Sequence, residues 1–296
     1  MSDVAELVPV ACSLCGSDEA QPRFREEPFG IVDCARCGLT YVTPRVAGDL
    51  VERVYGADYW RSPRPREEGY ADYGADAELY RRTFARRWRA LQPFLPATGR
   101  VLDVGCAAGF FLDVALVDGW EAVGLEPSPA MAERARRRLG SQRVLPFTLG
   151  EDPLEAQSFD LVTFWDVLEH LPEPLAALDR ARELLRPGGR VVIETQDVRS
   201  AFARLLGRRW QHYKHREHLM HFNARTLERA LEHAGLRLVR IRRRAAGKYV
   251  RGDFLVERSA RLHPRLPALL RPVLGGDWSV YLNFGDEMIA VAEARP

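Results

Sequence analysis

The chain has 296 residues, of which 46% are hydrophobic, and its 43 Lys/Arg against 41 Asp/Glu leave a net charge of only +2. That length suits one large α/β domain with a small appendage, and that composition belongs to a globular protein able to bury a core. The near balance of charge gives no general electrostatic reason to bind nucleic acid, and no apolar run approaches the roughly 20 residues needed to span a bilayer.

Residues 1–10 lack a basic n-region and a long apolar h-region, so no signal peptide and a cytoplasmic location are expected. Four of the five cysteines then fall in two matched pairs, Cys12-Ser-Leu-Cys15-Gly16 and Cys34-Ala-Arg-Cys37-Gly38. Two residues between cysteines let both thiolates converge on one ion, and the glycine allows a tight turn with backbone amides near the sulfurs. Four thiolates favour zinc and leave no open coordination position, so Cys12, Cys15, Cys34 and Cys37 are expected to hold a structural ion. Residues 1–45 thus form a small zinc-ribbon-like module, with a hairpin such as Gln21–Arg25 and Ile31–Asp33 between the pairs. Such a module is too short for much core of its own, and a metal is the usual remedy. Residues 46–75, rich in Tyr and Arg around Trp60, read as a linker or substrate lid.

A helix is predicted over Ala77–Leu95, with Leu79, Phe84, Trp88 and Leu91 on roughly one face. The arginines at 81, 82, 86, 87 and 89 read as a solvated face, as do those at 240 and 242–244. Arg100–Cys106 has the continuous apolar character of a buried parallel strand, and leads through Gly105 and Gly109 into a helix at Phe110–Asp118. Strand Glu121–Glu126, helix Pro129–Leu139, strand Arg143–Leu149 and strand Phe159–Asp166 follow. Leu175, Leu178, Ala181 and Leu185 mark a helix over Pro174–Arg186, stopped by Pro187-Gly188-Gly189 before strand Arg190–Thr195. Strands alternating with helices predict a doubly wound parallel sheet.

Ligands of such sheets bind beyond the carboxyl ends of the strands. There Gly105 and Gly109 permit close backbone approach, Asp103 can accept a hydrogen bond from a cationic amino group, and Glu126 can accept both hydroxyls of a ribose. These features fit an adenine dinucleotide or S-adenosylmethionine. Dinucleotide sites hold a pyrophosphate with Gly-x-Gly-x-x-Gly. The run Asp103-Val-Gly105-Cys-Ala-Ala-Gly109 lacks that pattern, which favours the sulfonium cofactor.

On these residues, about 76–244 of the chain resemble the class I S-adenosylmethionine-dependent methyltransferases. Asp103, Gly105 and Gly109 match the acid-x-Gly-x-Gly-x-Gly motif, with Ala107 in place of the middle glycine, a change expected to be mild. Glu126 matches the acid after the second strand. Phe159–His170 and Leu185–Arg190 match the fourth-strand segment and the turn before the fifth. The resemblance implies a seven-stranded Rossmann-like sheet whose last strand is antiparallel. It places Asp103 and Gly105 at the methionine moiety, Glu126 at the ribose, Asp152 or a neighbouring amide at adenine, and Asp166, Val167 and His170 along the cofactor's other side. Cys106 and Pro127 complete the cofactor-binding set, although the Cys106 side chain itself reads as a small core group. Gly69-Tyr70-x-Asp72-Tyr73 recurs in similar enzymes and nominates Tyr70 and Tyr73 as substrate-pocket residues.

Histidines at 212, 215, 218 and 221 crowd the segment Trp210–His221. A spacing of three drifts about 60° per step on a helix, so four of them cannot share one helix face as a second metal site. The run Glu217–Phe222 resembles instead a segment before the last helix of small-molecule methyltransferases, which makes His218 or His221 a candidate general base. Asn223 should cap the helix bearing Leu227, Ala230, Leu231 and Ala234, with Gly235 as its stop. Leu236–Arg242 and Met288–Glu293 are the expected sixth and seventh strands, separated by an insertion over 245–285 that could roof the substrate site. The leading expectation is methyl transfer to a small molecule: a sugar, polysaccharide precursor or secondary metabolite. An RNA methyltransferase, and a non-catalytic cofactor-binding protein that docks a partner through its zinc module, are the alternatives.

Overall fold

The structure is a computed structural model that describes residues 7–46, 76–260, 263–276 and 278–295. Tyr70, Tyr73 and the lid expected over 46–75 lie outside the described residues, except for residue 46. The N-terminal module contains β1 (Leu7–Val8), β2 (Ala20–Glu26), β3 (Phe29–Cys34), β4 (Thr40–Val42) and β5 (Arg45–Val46). The expected hairpin is the antiparallel pair β2–β3, longer than its sequence signal because cross-strand pairing runs from Ala20–Cys34 to Glu26–Phe29.

The larger part begins with α1 (Ala77–Leu91), which ends where Pro93 forces a single 3₁₀ turn at Gln92–Phe94. Then come β6 (Arg100–Val104), α2 (Phe110–Val117), β7 (Glu121–Leu125), α3 (Pro129–Leu139), β8 (Val144–Leu145), β9 (Phe159–Trp165), α4 (Pro174–Leu184) and β10 (Leu185–Gln196). Strand β8 is far shorter than expected from Arg143–Leu149: it is the sheet edge, and Pro146 follows it without an amide to continue the ladder. After α5 (Ala201–Leu206) come β11 (Met220–His221), α6 (Ala224–His233) and β12 (Leu236–Ile241). The described part of the insertion contains β13 (Lys248–Arg251), α7 (Gly252–Ser259), α8 (Leu266–Leu274) and β14 (Ser279–Leu282), before the last strand β15 (Glu287–Ala294).

Seven strands form one sheet in the order β12-β15-β10-β9-β6-β7-β8, parallel except for β15, which runs antiparallel between β10 and β12. Its two faces are covered separately. Leu178, Ala181, Leu184, Leu227 and Leu231 of α4 and α6 pack with Leu102, Val104 and Ile193. Trp88, Leu91, Phe111, Ala115 and Ala135 of α1–α3 pack with Val101, Leu161 and Val192 on the other face. The inner strands are buried on both sides, which is why they read as continuous apolar runs.

Two features were not visible in the sequence. The module's sheet has the order β11-β4-β3-β2, so a strand from the histidine-rich segment completes it, pairing Met220 with Tyr41 and His221 with Thr40. Cys12, Cys34, Cys37, Leu39 and Tyr41 thereby share one buried cluster with Leu219, Met220, Phe222 and Leu227. The insertion, for its part, docks on α1: Tyr249 N donates to Thr83 Oγ1 at 3.0 Å, and the guanidiniums of Arg82 and Arg86 lie over Tyr249 and Tyr281. The arginine run is therefore not a uniformly solvated face. Arg87 is buried against Glu194, with 2.5 Å between Nη1 and Oε2.

Candidate cofactor and acceptor site

The turn from β6 to α2 is built so that backbone, not side chain, faces the mouth of the sheet. Gly105 has φ +68° and Gly109 has φ +74°, conformations that a Cβ opposes. A Cβ on Gly105 would lie 2.8 Å from Cγ2 of Val167. Ala107 also sits at positive φ, +47°, so the replacement of the family's middle glycine is not free of strain: an L-residue there costs on the order of 1 kcal/mol. Cys106 is buried, and its amide donates to Leu125 O at 2.9 Å, tying the loop to β7.

Two carboxylates flank this turn at adjacent strand ends. Asp103 is 2% exposed; its Oδ1 accepts from Thr163 Oγ1 at 2.7 Å, and among the described residues no partner meets Oδ2. Burial pushes its carboxyl up to about 8. Glu126 is 4% exposed and accepts from the amides of Ala107 and Ser128, both at 2.8 Å. Those amides lock the carboxylate in place and leave each oxygen a further lone pair, while burial pushes this carboxyl up to about 7. Both groups would gain from a ligand that brings a cation or hydroxyl donors. Pro127, next in the chain, is exposed at the same rim. Asp152 differs from these: its Oδ1 takes a 2.8 Å ion pair from Arg180 and its Oδ2 accepts from Gly150 N. The Asp152 carboxylate is thus committed within the protein, and the adjacent amides are the groups left to meet a base.

Beyond β9 the chain turns sharply, with Asp166 at φ +53°. Such a conformation in a residue with a side chain is characteristic of functional turns. Gln196 donates to Asp166 Oδ1 at 3.0 Å and also to Glu169 Oε1, while Thr195 Oγ1 donates to Glu169 Oε2 at 3.0 Å. Burial pushes Glu169 up to about 8 and holds the His170 imidazole down to about 4. His170 and His218 meet edge to face, 4.7 Å between ring centroids. Glu169, His170 and His218 each place a ligand-capable atom within 4.8 Å of the others. The predicted residues Asp166, Val167, His170 and His218 are therefore brought together. Glu169, inside the matched segment yet not singled out from it, is the group that links them to Gln196.

His221 lies elsewhere in the cluster. It is fully buried at the β11–β4 pairing, its ring is 4.9 Å from Tyr213, and among the described residues neither ring nitrogen has a hydrogen-bond partner. His212, which the sequence did not distinguish from its neighbours, sits 3.5 Å from both Asp286 and Glu287. Glu287 faces Gln196 across the β10–β15 pairing. Burial opposes its ionisation, but Lys248, His212 and Arg87 hold its carboxyl below the usual range. These groups form a buried charged wall that ends in the Arg87–Glu194 pair.

The four cysteines of the module converge as the sequence predicted. Cys12 and Cys37 sulfurs are 3.4 Å apart, those of Cys15 and Cys34 3.5 Å, and all four lie within 4.8 Å of one another. A tetrahedral Zn–S bond of about 2.3 Å implies sulfur separations of about 3.8 Å. The set fits that ion, and burial pushes the Cys37 thiol up to about 11, so ionising all four needs a cation among them.

A parallel sheet with one antiparallel strand between its fifth and sixth members, a glycine turn after the first strand and an acid ending each of the first two define the class I methyltransferase fold. The chain belongs to that family: the model described as Methyltransferase domain matches residues 76–241. A ubiquinone biosynthesis O-methyltransferase of Xanthomonas axonopodis is 33% identical over 135 residues, 40% of this chain and 56% of that one. The matched regions span only 30% to 56% of the length of such curated relatives. Among solved structures, 1,6-didemethyltoxoflavin-N1-methyltransferase of Burkholderia thailandensis, with bound S-adenosylhomocysteine, shares the fold at 19% identity. Its TM-score is 0.52, covering 94% of this chain and 100% of that one. A methyltransferase of Archaeoglobus fulgidus gives 0.50 at 21% identity, over 75% and 100% of the two chains. No described helix is long and apolar enough to cross a membrane.

Proposed function

We propose that this protein transfers a methyl group from S-adenosylmethionine to a small-molecule acceptor, such as a sugar, a polysaccharide precursor or a secondary metabolite. The observation that carries the reading is the pair of buried, raised carboxyls Asp103 and Glu126 on either side of the Gly105 turn. When bound, the cofactor supplies an electrophilic methyl group. Asp103 offers an unpaired carboxylate oxygen to an ammonium, Glu126 accepts from ribose hydroxyls, and the amides beside Asp152 meet the adenine.

On the acceptor side, Asp166, Glu169, Gln196, His170 and His218 make a compact polar surface. Most of it is buried and none of it carries a fixed positive charge, which suits a small neutral molecule better than a polyanion. The name of the Xanthomonas relative points the same way. His218 is the base we favour. Burial keeps its imidazole neutral at physiological pH, and among the described residues its Nδ1 has no partner, leaving that nitrogen free to meet an acceptor hydroxyl. His221 supports the segment from β11, and Tyr70 and Tyr73 are assigned to the acceptor pocket on their sequence motif. Zinc held by Cys12, Cys15, Cys34 and Cys37 fixes the module, and through the β11–β4 pairing fixes the chain that carries His218.

The test is incubation with methyl-labelled cofactor and panels of sugar nucleotides, phenols and bulk RNA, followed by identification of the labelled product. Label entering a small molecule, and falling by about 100-fold in His218→Gln as expected for loss of a general base, supports the reading. Label entering RNA alone would overturn it.

A further inference from the structure

A second candidate site lies where the N-terminal module meets α6, and none of its lining residues belongs to the methyl-transfer mouth. A cavity of about 210 Å³ is lined by Arg36 and Gly38 from the turn between β3 and β4, Arg199 from the loop after β10, Asn223 and Arg225 at the start of α6, and Arg229 one turn further along it. Four guanidiniums thus come from three separate stretches of chain. Among the described residues, none of the four pairs with a carboxylate. Arg229 is held by a 2.9 Å hydrogen bond to the Cys37 carbonyl, and Arg199 lies over Gly38, where a Cβ would come within 3.5 Å of its Nη2.

Asn223 is 4% exposed, and its Oδ1 accepts from the amides of Arg225 and Thr226. Among the described residues its Nδ2, a donor, is buried without any partner. The start of a ten-residue helix adds its positive end to the same wall. Four guanidiniums without a carboxylate partner give the cavity a positive wall that suits a phosphate group at neutral pH. The volume is well above the ~10–15 Å³ that a single water needs and leaves room for a diphosphate.

We propose that this cavity is a phosphate- or diphosphate-binding site, with Arg36, Arg199, Arg225 and Arg229 as its cationic wall and Asn223 as a neutral donor. Guanidiniums suit that role because their planar forks bind phosphate oxygens two at a time. The phosphate can be free or part of a phosphorylated metabolite, and the two sources are separable.

The experiment is calorimetric titration of the full-length protein with sodium diphosphate and with UDP-glucose at fixed ionic strength. Saturable one-site binding is expected, weakened about tenfold or more in Arg199→Gln and in Arg225→Gln, two exposed positions, and unchanged in the distant Arg137→Gln. S-adenosylhomocysteine binding should not change in any of them. Equal affinity for the two ligands would mark the phosphate group alone as the determinant; tighter UDP-glucose binding would mark a phosphorylated metabolite. Absence of binding by either ligand would overturn the proposal. So would weakening no greater than in Arg137→Gln, or binding of an RNA oligonucleotide that diphosphate cannot displace. Because diphosphate binding is read directly, these outcomes are independent of whether the methyl-transfer reading holds.

Discussion

Replacing Arg87 with methionine should be among the costliest single changes in the chain. The side chain is 5% exposed, its Nη1 lies 2.5 Å from Glu194 Oε2, its Nη2 is 3.8 Å from Glu287, and its Nε donates to Gly247 O at 3.2 Å. Glu194 is fully buried and, among the described residues, its other oxygen has no partner and no other cation pairs with it, so without the guanidinium the carboxylate loses its direct counter-charge. Removing one partner of a buried pair costs about 3–5 kcal/mol, and the orphaned Gly247 carbonyl adds about 1 kcal/mol. Methionine keeps most of the stem volume, so cavity formation contributes little. Burial already pushes the Glu194 carboxyl well above its ordinary range. Protonation can therefore relieve the charge, and the penalty should be larger at about pH 8 than at about pH 6. Urea unfolding of the wild type, Arg87→Met, Glu194→Met and the double variant closes the cycle. The double variant should recover most of the loss, because a well-packed apolar pair often replaces a buried ion pair at little cost. A single-variant cost below about 1 kcal/mol, or a double variant no better than Arg87→Met, would refute the reasoning.

Three further outcomes follow from the site. The Asp103 and Glu126 carboxyls, at about 8 and 7 against 3.8 and 4.5 for the free groups, keep protons that the unfolded chain has lost. Their contribution to stability is fully present at low pH and is lost as pH rises across that window. Thermal unfolding of the cofactor-free protein should show this decline flattened in Asp103→Asn, and an unchanged slope would contradict the assignment. Gly105→Ala should weaken S-adenosylhomocysteine binding and lower the melting temperature, because φ +68° and a Cβ 2.8 Å from Val167 both oppose it; wild-type behaviour would mean that the turn is more plastic than described. Chelating the metal should destabilise the module and, through the β11–β4 pairing, raise hydrogen exchange at Leu219–His221, whereas exchange confined to residues before 46 would separate the two parts.

The sheet was largely legible because buried parallel strands such as Arg100–Val104 are near-continuous apolar runs bounded by glycine and proline. The residues proposed for the cofactor side could be picked out because they are local to strand ends. What escaped was long-range. Met220–His221 is too short a strand for any period to reveal, and its partner lies about 180 residues earlier. Arg87 was hidden inside an arginine run. Yet it follows Thr83 by four residues and precedes Leu91 by four, which places it on the buried face of α1. The insertion's docking depends on aromatic rings meeting arginines across α1, a pairing that no local pattern announces.

The central claim is that the mouth between β6 and β7 holds S-adenosylmethionine through Asp103, Glu126 and the Gly105 turn. Calorimetric titration of the purified protein with S-adenosylhomocysteine, beside a Glu126→Ala variant whose thermal unfolding shows it folded, tests that claim most directly. One-site binding near micromolar, about 8 kcal/mol, weakened at least about tenfold by the substitution, is the predicted result. No binding by the folded wild type, or equal binding by the variant, would contradict it.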